Sequence, residues 1–157
     1  MRIGFASDIH RLVEGRKLML AGIHVPANFG EQAHSDGDVV FHACAEAILG
    51  ALALGDLGTH FPDNDNQYKD IDSSILVKRV VLMMKENGCQ INNIDISITL
   101  EKPKLKDYRQ HMITNIARLL HTSVENVSVK AGTNEGLDDV GHGLAIKVDA
   151  IVLLNNK

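Results

Sequence analysis

Apolar and polar residues alternate along the chain in two different periods, and each period predicts its own kind of element. Alternation with period two predicts strands, and apolar residues three and four apart predict helices. The predicted strands are RIGFASDIH (2–10), KLMLAGIHV (17–25), NIDISITL (93–100), NVSVKA (126–131) and GLAIKVDAIVLL (143–154). The predicted helices are DVVFHACAEAILGALAL (38–54), SSILVKRVVLMMKENG (73–88) and KDYRQHMITNIARLLH (106–121). This mixture favours an α/β fold, an α+β sandwich in which helices cover one face of a mixed sheet.

The pattern also predicts how some elements are oriented and capped. In the first strand Asp8 and His10 point to one side, and Ile9 is expected to face the core. Ser73 or Ser74 is expected to cap the second helix, and Gly88 suits its end. The second face of the sheet carries Asp95, Ser97, Thr99, Lys147 and Asp149. This polar face predicts contact with solvent or with the interior of an oligomer.

Composition narrows the class of protein. The 157 residues predict a single domain spanning 1–157, with a net charge of −4 and with lysines and arginines scattered rather than run together. A nucleic-acid surface is therefore not expected, and no apolar run is long enough for a membrane span. Cys44 and Cys89 lie in apolar surroundings and are expected to be buried free thiols. We expect a cytosolic protein or the matrix form of an organellar one.

Two short stretches carry metal-ligand residues. Asp38, His42 and Glu46 are spaced to lie on one face of an otherwise apolar helix. Asp8 and His10 lie two apart on a strand, and with His42 they supply three ligands for a tetrahedral zinc with one open position. Taken separately, the stretches are equally compatible with a polar helix stripe and an exposed strand end.

Three further clusters are rich in polar side chains. Asp56, Asp63 and Asp65 lie in GDLGTHFPDNDNQ, which is also typical of turns. VKAGTNEG offers Thr133 and Glu135, a hydroxyl and a carboxylate suited to phosphate and Mg²⁺. EKPKLKDY brings three lysines, Lys102, Lys104 and Lys106, to the end of a strand. Together the clusters indicate metal-dependent phosphate chemistry.

The motifs SDIH, AHSDGDV, GDLGTHFPDND, PKL and VKAGTNEGL, in this order and spacing, resemble the 2-C-methyl-D-erythritol 2,4-cyclodiphosphate synthase family over essentially the whole chain. The resemblance implies one Zn²⁺ per subunit on Asp8, His10 and His42, and Mg²⁺ or Mn²⁺ on Glu135. It implies transition-state stabilisation by His34 and Thr133. The substrate-binding residues that it implies are Asp8, His10, His34, Ser35, Asp56, Leu57, Gly58, Phe61, Pro62, Asp63, Asn64, Asp65, Leu100, Pro103, Lys104, Leu105, Lys106, Ala131, Gly132, Thr133, Asn134 and Glu135.

The resemblance also implies a reaction and an assembly. The reaction is metal-assisted intramolecular phosphoryl transfer, which turns 4-diphosphocytidyl-2-C-methyl-D-erythritol 2-phosphate into the 2,4-cyclodiphosphate and CMP. The assembly is a homotrimer with active sites between subunits, the sheets inside, in a bacterial cytoplasm or as a mature plastid-type form. Two alternatives remain open: a zinc-dependent phosphodiester hydrolase, and a non-catalytic metal- or nucleotide-binding module.

The sequence departs from the family pattern at a few positions. Asp139 and His142 stand where many members have an aromatic residue and an arginine near the threefold axis, which argues against binding of isoprenoid diphosphates in a central cavity. Gly132 and Asn134 replace hydroxyl residues, and Glu46 stands where aspartate is usual. These last changes leave the implied chemistry intact.

Overall fold

The computed structural model describes residues 1–62 and 71–156. Its helices are α1 (Val39–Leu52), α2 (Leu57–His60), α3 (Ser73–Glu86), α4 (Arg109–Leu120) and α5 (Asp138–Gly141), with a 3-10 turn at Val124–Asn126. Its strands are β1 (Arg2–Glu14), β2 (Leu18–Leu20), β3 (Ile23–Val25), β4 (Phe29–Glu31), β5 (Cys89–Thr99), β6 (Val127–Gly132) and β7 (Ala145–Asn156). The predicted α/β class is confirmed.

Five strands form one mixed sheet in the order β4-β1-β7-β5-β6. β5 and β6 run parallel, whereas β7 is antiparallel to both of its neighbours. His10 pairs with Ile146 on β7, and Thr99 pairs with Lys147. The end of β5 and the metal-ligand residues of β1 therefore lie at the same end of the sheet, on either side of β7.

The helix α1 lies unusually close to β1. A Cβ atom on Gly4 would lie 1.9 Å from the carbonyl oxygen of Ala47 and 2.7 Å from the amide nitrogen of Ala51. Position 4 therefore requires glycine at this helix separation. The close approach buries most of α1 and holds its first turn, with His42, beside β1.

The expectation that Ile9 faces the core is wrong. Ile9 is 57% exposed, and Ile3 and Phe5 on the same side of β1 are 72% and 62% exposed. The side that faces the helices carries Gly4 and Ala6, where α1 packs closely, and Asp8 and His10, which lie beside the first turn of α1. Alternation alone shows that a strand has two faces but not which one is covered.

The open face of the sheet is apolar along β1 and polar toward β6. Phe5 pairs with Ile151, which is 46% exposed, and Ser7 pairs with Asp149. Ion pairs join Lys130 to Asp95 at 2.6 Å and Lys147 to Asp149 at 3.4 Å. The sequence-based description of this face as polar is thus correct for β5 and for Lys147 and Asp149 on β7, but it misses the exposed apolar patch of Ile3, Phe5, Ile9 and Ile151.

Several local predictions are refined. The segment 17–25 is a hairpin of β2 and β3 rather than one strand, because Ala21 and Gly22 both adopt positive φ (52° and 75°) and form a two-residue turn. Asp72, not Ser73 or Ser74, is the N-cap of α3, and its side chain accepts from Ser74 N–H.

Gly88 follows α3 with a φ of 66°, as predicted. Cys44 and Cys89 are buried and free, also as predicted.

Candidate active site

Three potential metal ligands converge where β1 passes the first turn of α1. Asp8 Oδ2 lies 3.2 Å from His10 Nε2 and 3.7 Å from His42 Nδ1. One ligand atom from each residue lies within 4.8 Å of the others. The structure thus brings together the three residues that the sequence grouped, and their donor set of one carboxylate and two imidazoles suits a divalent metal with an open position.

The ring of His10 is oriented by the loop before α1. Its Nδ1 lies 2.9 Å from the carbonyl oxygen of Gly37, which can only accept a hydrogen bond. Nδ1 therefore carries the proton, and in the neutral ring Nε2 presents its lone pair toward Asp8. Gly37 adopts a φ of 85°, a conformation that favours glycine and turns its carbonyl toward the ring.

The ring of His42 is oriented by two serines. Its Nε2 lies 3.0 Å from Ser73 Oγ and 3.2 Å from Ser35 Oγ. Ser73 donates its hydroxyl proton to Asp36 Oδ1 at 2.5 Å, so its oxygen is left to accept from His42 Nε2–H. The remaining nitrogen, Nδ1, is the one that faces Asp8. A chain of hydrogen bonds from Asp36 through Ser73 therefore selects the tautomer that a metal requires.

The cluster favours positive charge between its members. Burial opposes ionisation of Asp8, but hydrogen bonds from His10 and His42 outweigh it and hold the pKa of Asp8 well below its ordinary value. For His10, burial opposes the charged form, and the hydrogen bond and negative charge of Asp8 outweigh it, so its pKa is raised. Either a proton on a histidine ring or a bound metal ion can supply this positive charge.

Asp38 does not belong to this cluster. It is the N-cap of α1, is fully buried, and accepts from the backbone N–H groups of Phe41, Ala21 and Gly22 at 3.1, 2.9 and 2.6 Å. Burial raises its pKa to about 7. The expectation that Asp38 shares a face with His42 and Glu46 therefore fails, because the residue lies before the helix and its side chain turns toward the β2–β3 hairpin.

Glu46 does share the site with His42. It lines a cavity of about 310 Å³ together with the metal cluster, and accepts from Leu57 N–H at 3.2 Å. Burial, with the nearby charges of Asp56 and Asp8, raises its pKa. The other walls of this cavity, which we call the metal pocket, are Gln32, Ala33, His34, Ser35, Leu57, Gly58, Phe61, Ile71 and Leu76.

The segment after α1 forms a short helix that the sequence analysis treated as a loop. Asp56 caps α2 by accepting from Thr59 N–H at 2.8 Å and Thr59 Oγ1 at 2.7 Å, and these bonds lower its pKa. Its carboxyl group is exposed and does not line the metal pocket. Pro62 is exposed beside the buried Phe61. The predicted residues Asp63, Asn64 and Asp65 lie outside the described residues.

A second cavity, of about 360 Å³, lies beyond the ends of β5 and β6, and we call it the distal pocket. Glu101 and Arg109 line it although no role was predicted for them. Of the lysines, Lys104 and Lys106 are exposed at its wall. The other lining residues are Leu100, Pro103, Leu105, Ala131, Gly132 and Thr133, all of which the sequence analysis assigned to substrate.

The loop after β6, residues 133–136, is held mainly through its backbone. Glu101 Oε1 accepts from Asn134 N–H at 2.7 Å and from Gly136 N–H at 3.5 Å. Glu101 therefore already accepts from the N–H groups of Asn134 and Gly136. Thr133 and Glu135 are exposed, and the Thr133 hydroxyl lies 3.3 Å from Glu135 Oε1.

Asp139 and His142 lie apart from both pockets. Asp139 is exposed on α5 and borders a surface cavity with Ile9 and Lys147. His142 is the exposed C-cap residue of α5. The metal and distal pockets share no lining residue in the described part of the chain.

Five residues that orient the site were not predicted to do so from the sequence: Gly37, Asp36, Ser73, Glu101 and Arg16. Arg16 donates to the carbonyl oxygens of Ala33 and Ser35 at 3.3 and 3.0 Å. None of these residues carries a motif that chemistry alone would single out. The signal that could have found Asp36 and Gly37 is their position inside AHSDGDV, between two residues already assigned to the site.

Comparisons with known proteins agree with this geometry. The sequence pattern of the YgbB family matches residues 1–155. A 2-C-methyl-D-erythritol 2,4-cyclodiphosphate synthase from Brachyspira hyodysenteriae is 51% identical over 154 residues, which is 98% of this chain and 98% of that protein.

Solved structures show the same fold. The bifunctional IspDF from Campylobacter jejuni matches with a TM-score of 0.95 and 39% identity over 99% of this chain, which spans 42% of that longer protein. A 2C-methyl-D-erythritol-2,4-cyclodiphosphate synthase in a CDP-bound form matches with a TM-score of 0.91 and 34% identity, over 98% of this chain and all of that one. In the described ranges, no helix has the length and apolar character to cross a membrane.

Proposed function

The chain belongs to the YgbB family, and from this premise we propose that it is a 2-C-methyl-D-erythritol 2,4-cyclodiphosphate synthase. It converts 4-diphosphocytidyl-2-C-methyl-D-erythritol 2-phosphate to the 2,4-cyclodiphosphate and CMP, as a phosphorus–oxygen lyase of the methylerythritol phosphate route to isoprenoids. Relatives that match nearly its full length carry this name. The structural observation that carries the proposal is the preformed cluster of Asp8, His10 and His42 within an open cavity.

The reaction needs alignment and charge neutralisation more than a strong base. An oxygen of the 2-phosphate forms a bond to the β-phosphorus, and the bond from that phosphorus to the bridging oxygen breaks, so CMP departs with the bridging oxygen. The attacking phosphate is already ionised at neutral pH. The chain must therefore hold both ends of one substrate and place cationic groups or donors at the phosphates.

The metal pocket is suited to the phosphate end. Asp8, His10 and His42 would hold Zn²⁺, one ion per subunit, because their donor atoms are close together and the outer nitrogens of both rings are already bonded. When bound, the ion supplies Lewis-acid stabilisation of phosphoryl oxygens. His34 is exposed at the wall of this pocket, where its side chain can contact the same phosphate. We assign the wall residues Ser35, Leu57, Gly58 and Phe61 to the erythritol and phosphate groups.

The distal pocket is suited to the cytidine end. Its apolar floor is formed by the buried Leu100 and Leu105, and Lys104 and Lys106 place cationic side chains at its rim. A related synthase is described in a CDP-bound form, which supports a cytidine nucleotide as part of the ligand, and we place that nucleotide in this pocket. Thr133 can donate to a phosphate oxygen at the same rim, and Glu135 would hold Mg²⁺ or Mn²⁺. We assign Pro103, Ala131, Gly132 and Asn134 to nucleotide contacts.

We propose a homotrimer with shared active sites. Two observations support an assembly: the apolar patch of Ile3, Phe5, Ile9 and Ile151 is exposed in one chain, and the two pockets share no wall in the described residues. A partner chain that covers the open sheet face would bury the patch. Sedimentation analysis should give three chains, and Phe5→Asp, which puts a charge into the patch, should give smaller species with lower turnover. Full activity in a monomer would contradict shared sites.

The remaining assignments follow from the same premise. We propose that residues 1–157 act as one domain in a bacterial cytoplasm, or as a mature plastid-type form, with no nucleic-acid or membrane partner. A zinc-dependent hydrolase would use the same metal cluster, and the products distinguish the two reactions. Phosphorus NMR of purified protein with the substrate and Mg²⁺ should show CMP and a cyclic diphosphate. CMP with an open-chain bisphosphate would favour the hydrolase, and no turnover would favour a binding module.

A further inference from the structure

The loop between β4 and α1 carries His34 and is fixed at both ends. Gln32 N–H donates to Arg11 carbonyl oxygen at 2.8 Å, and Asp36 N–H donates to Ile71 carbonyl oxygen at 3.1 Å. Between these anchors, the backbone hydrogen bonds seen for residues 33–35 in the described chain are those that Arg16 makes. No hydrogen bond of the His34 side chain is seen within residues 1–62 and 71–156, so its position depends on its backbone.

Arg16 holds the carbonyl groups on both sides of His34. Its Nη1 lies 3.3 Å from the oxygen of Ala33, and its Nη2 lies 3.0 Å from the oxygen of Ser35. Only a planar guanidinium offers two donors in a fixed fork that spans two acceptors at once. The contact therefore fixes both neighbours of His34 with one side chain, and a lysine ammonium cannot reproduce this geometry.

The backbone that carries Arg16 is itself packed tightly. A Cβ atom on Gly30 would lie 2.1 Å from the carbonyl oxygen of Lys17 and 2.8 Å from the carbonyl carbon of Arg16. Gly15 N–H, one residue earlier, donates to Asn28 carbonyl oxygen at 3.3 Å. The turn before β2 thus packs directly against β4. The backbone of Arg16 is therefore held in place, and its side chain extends from there to the His34 loop.

Arg16 does not line the metal pocket, whereas His34 does. It borders a separate surface cavity with Lys17, Met19, Asp36 and Asp72. We propose that Arg16 is a positioning residue for His34. Arg16 affects turnover by fixing the loop that carries His34, and it does not touch substrate. The inference rests on the proposed function, in which His34 contacts the reacting phosphate.

A double-mutant cycle tests the proposal. Arg16→Lys keeps the charge and removes the fork, so kcat should fall about 10- to 100-fold with little change in KM, since a displacement near 1 Å is enough for such a loss. In a His34→Ala background the same change should lower kcat less than about threefold, because its effect passes through His34. An equal loss in both backgrounds, or none in either, would overturn the proposal. Arg118→Lys, an exposed arginine on α4, is the matched control.

A second measurement does not depend on activity. In ¹⁵N relaxation, the amides of Ala33, His34 and Ser35 should become more mobile in Arg16→Lys, with zinc content and melting temperature close to wild type. Unchanged mobility would also overturn the proposal. If Arg16→Lys folds poorly, Arg16→Gln, which can serve one carbonyl only, takes its place in both measurements. Wild-type protein without turnover would contradict the proposed function instead, while the relaxation data would still test the anchoring of the loop.

Discussion

The metal cluster and the loop at residues 133–136 are supported in different ways. Asp8 and His10 lie on a long interior strand of the sheet, and His42 lies on the first turn of a buried helix. Both rings have their outer nitrogen bonded to groups from elsewhere in the fold. Thr133 and Glu135 are exposed, and in the described part of the chain the hydrogen bonds of their side chains stay within this loop.

The metal cluster is therefore formed before its ligand binds, whereas the site at residues 133–136 is completed only when its ligand binds. Side chains already held in place lose little conformational entropy on binding, whereas exposed ones must be ordered at that moment. We therefore expect the metal cluster to retain its metal through purification. We expect Glu135 to take up its cation reversibly, together with the substrate. The predictions below test this contrast.

Removing a ligand from the cluster should have the largest effect. His42→Ala leaves two of three protein ligands, so bound zinc should fall well below one per chain while the fold is retained. Turnover should fall by about 10³-fold or more, since the metal's contribution to the transition state is several kcal/mol. Metal analysis and steady-state assay check this. Wild-type zinc content together with wild-type activity would show that the ligand assignment is wrong.

Removing the carboxylate of the loop should have a smaller and partly reversible effect. Glu135→Gln keeps the size of the side chain but not its charge, and turnover should fall roughly 10²-fold. Zinc content should stay unchanged, and raised Mg²⁺ should restore part of the activity because the site is formed with substrate. A titration of activity against Mg²⁺ measures this, with the exposed Glu125→Gln as control. Loss of zinc in the variant would mean that the two sites are coupled.

The same contrast explains which parts of the fold the sequence predicted. The long apolar segments of α1, α3 and β5 have a clear period and were placed within a few residues, apart from the start of β5. The four-residue helices α2 and α5 were missed because such a short element shows no period and depends on a cap such as Asp56. The covered face of β1 was misassigned because it depends on where α1 packs.

In the candidate site, the metal ligands were predicted from the sequence, but the residues that orient them were not. Asp8, His10 and His42 were predicted from residue type and local spacing, and the structure brings them together. Their orienting partners were not predictable, because Gly37 lies 27 residues from His10 and Ser73 lies 31 from His42. Glycine and serine are too common to be singled out without tertiary structure. Chemistry can thus be inferred from the ligands, whereas their orientation requires the fold.

Weakening the support of the cluster should have a moderate effect. Ser73→Ala removes the closer partner of His42 Nε2, and metal affinity should fall about tenfold, at the low end for outer-shell partners. The low end applies because Ser35 Oγ remains 3.2 Å from the same nitrogen. Competition with a zinc chelator measures the affinity. The neighbouring Ser74→Ala, which leaves His42 untouched, is the control, and equal losses in both variants would indicate a general effect on α3.

The last expected effect concerns the free energy of unfolding rather than turnover, and it arises at Glu31, whose side chain lies next to Gly37. Glu31 is fully buried, and its Oε1 has no hydrogen-bond partner among the described residues. Burial, with the nearby charge of Asp38, raises its pKa from 4.5 to about 9. The folded protein thus keeps a proton that the unfolded chain releases above pH 4.5. Its contribution to the free energy of unfolding is greatest below that pH and is lost as pH rises toward 9, by up to about 1.4 kcal/mol per unit.

Glu31→Gln keeps the shape of the side chain and removes this titration. The free energy of unfolding of the variant, relative to wild type, should therefore increase steadily between pH 5 and pH 9. Urea unfolding at several pH values, at fixed protein concentration and with a chelator present, measures the difference and keeps metal binding out of it. The exposed Glu14→Gln is the control for the loss of one glutamate. A constant difference for Glu31→Gln would show that Glu31 ionises normally in the folded protein.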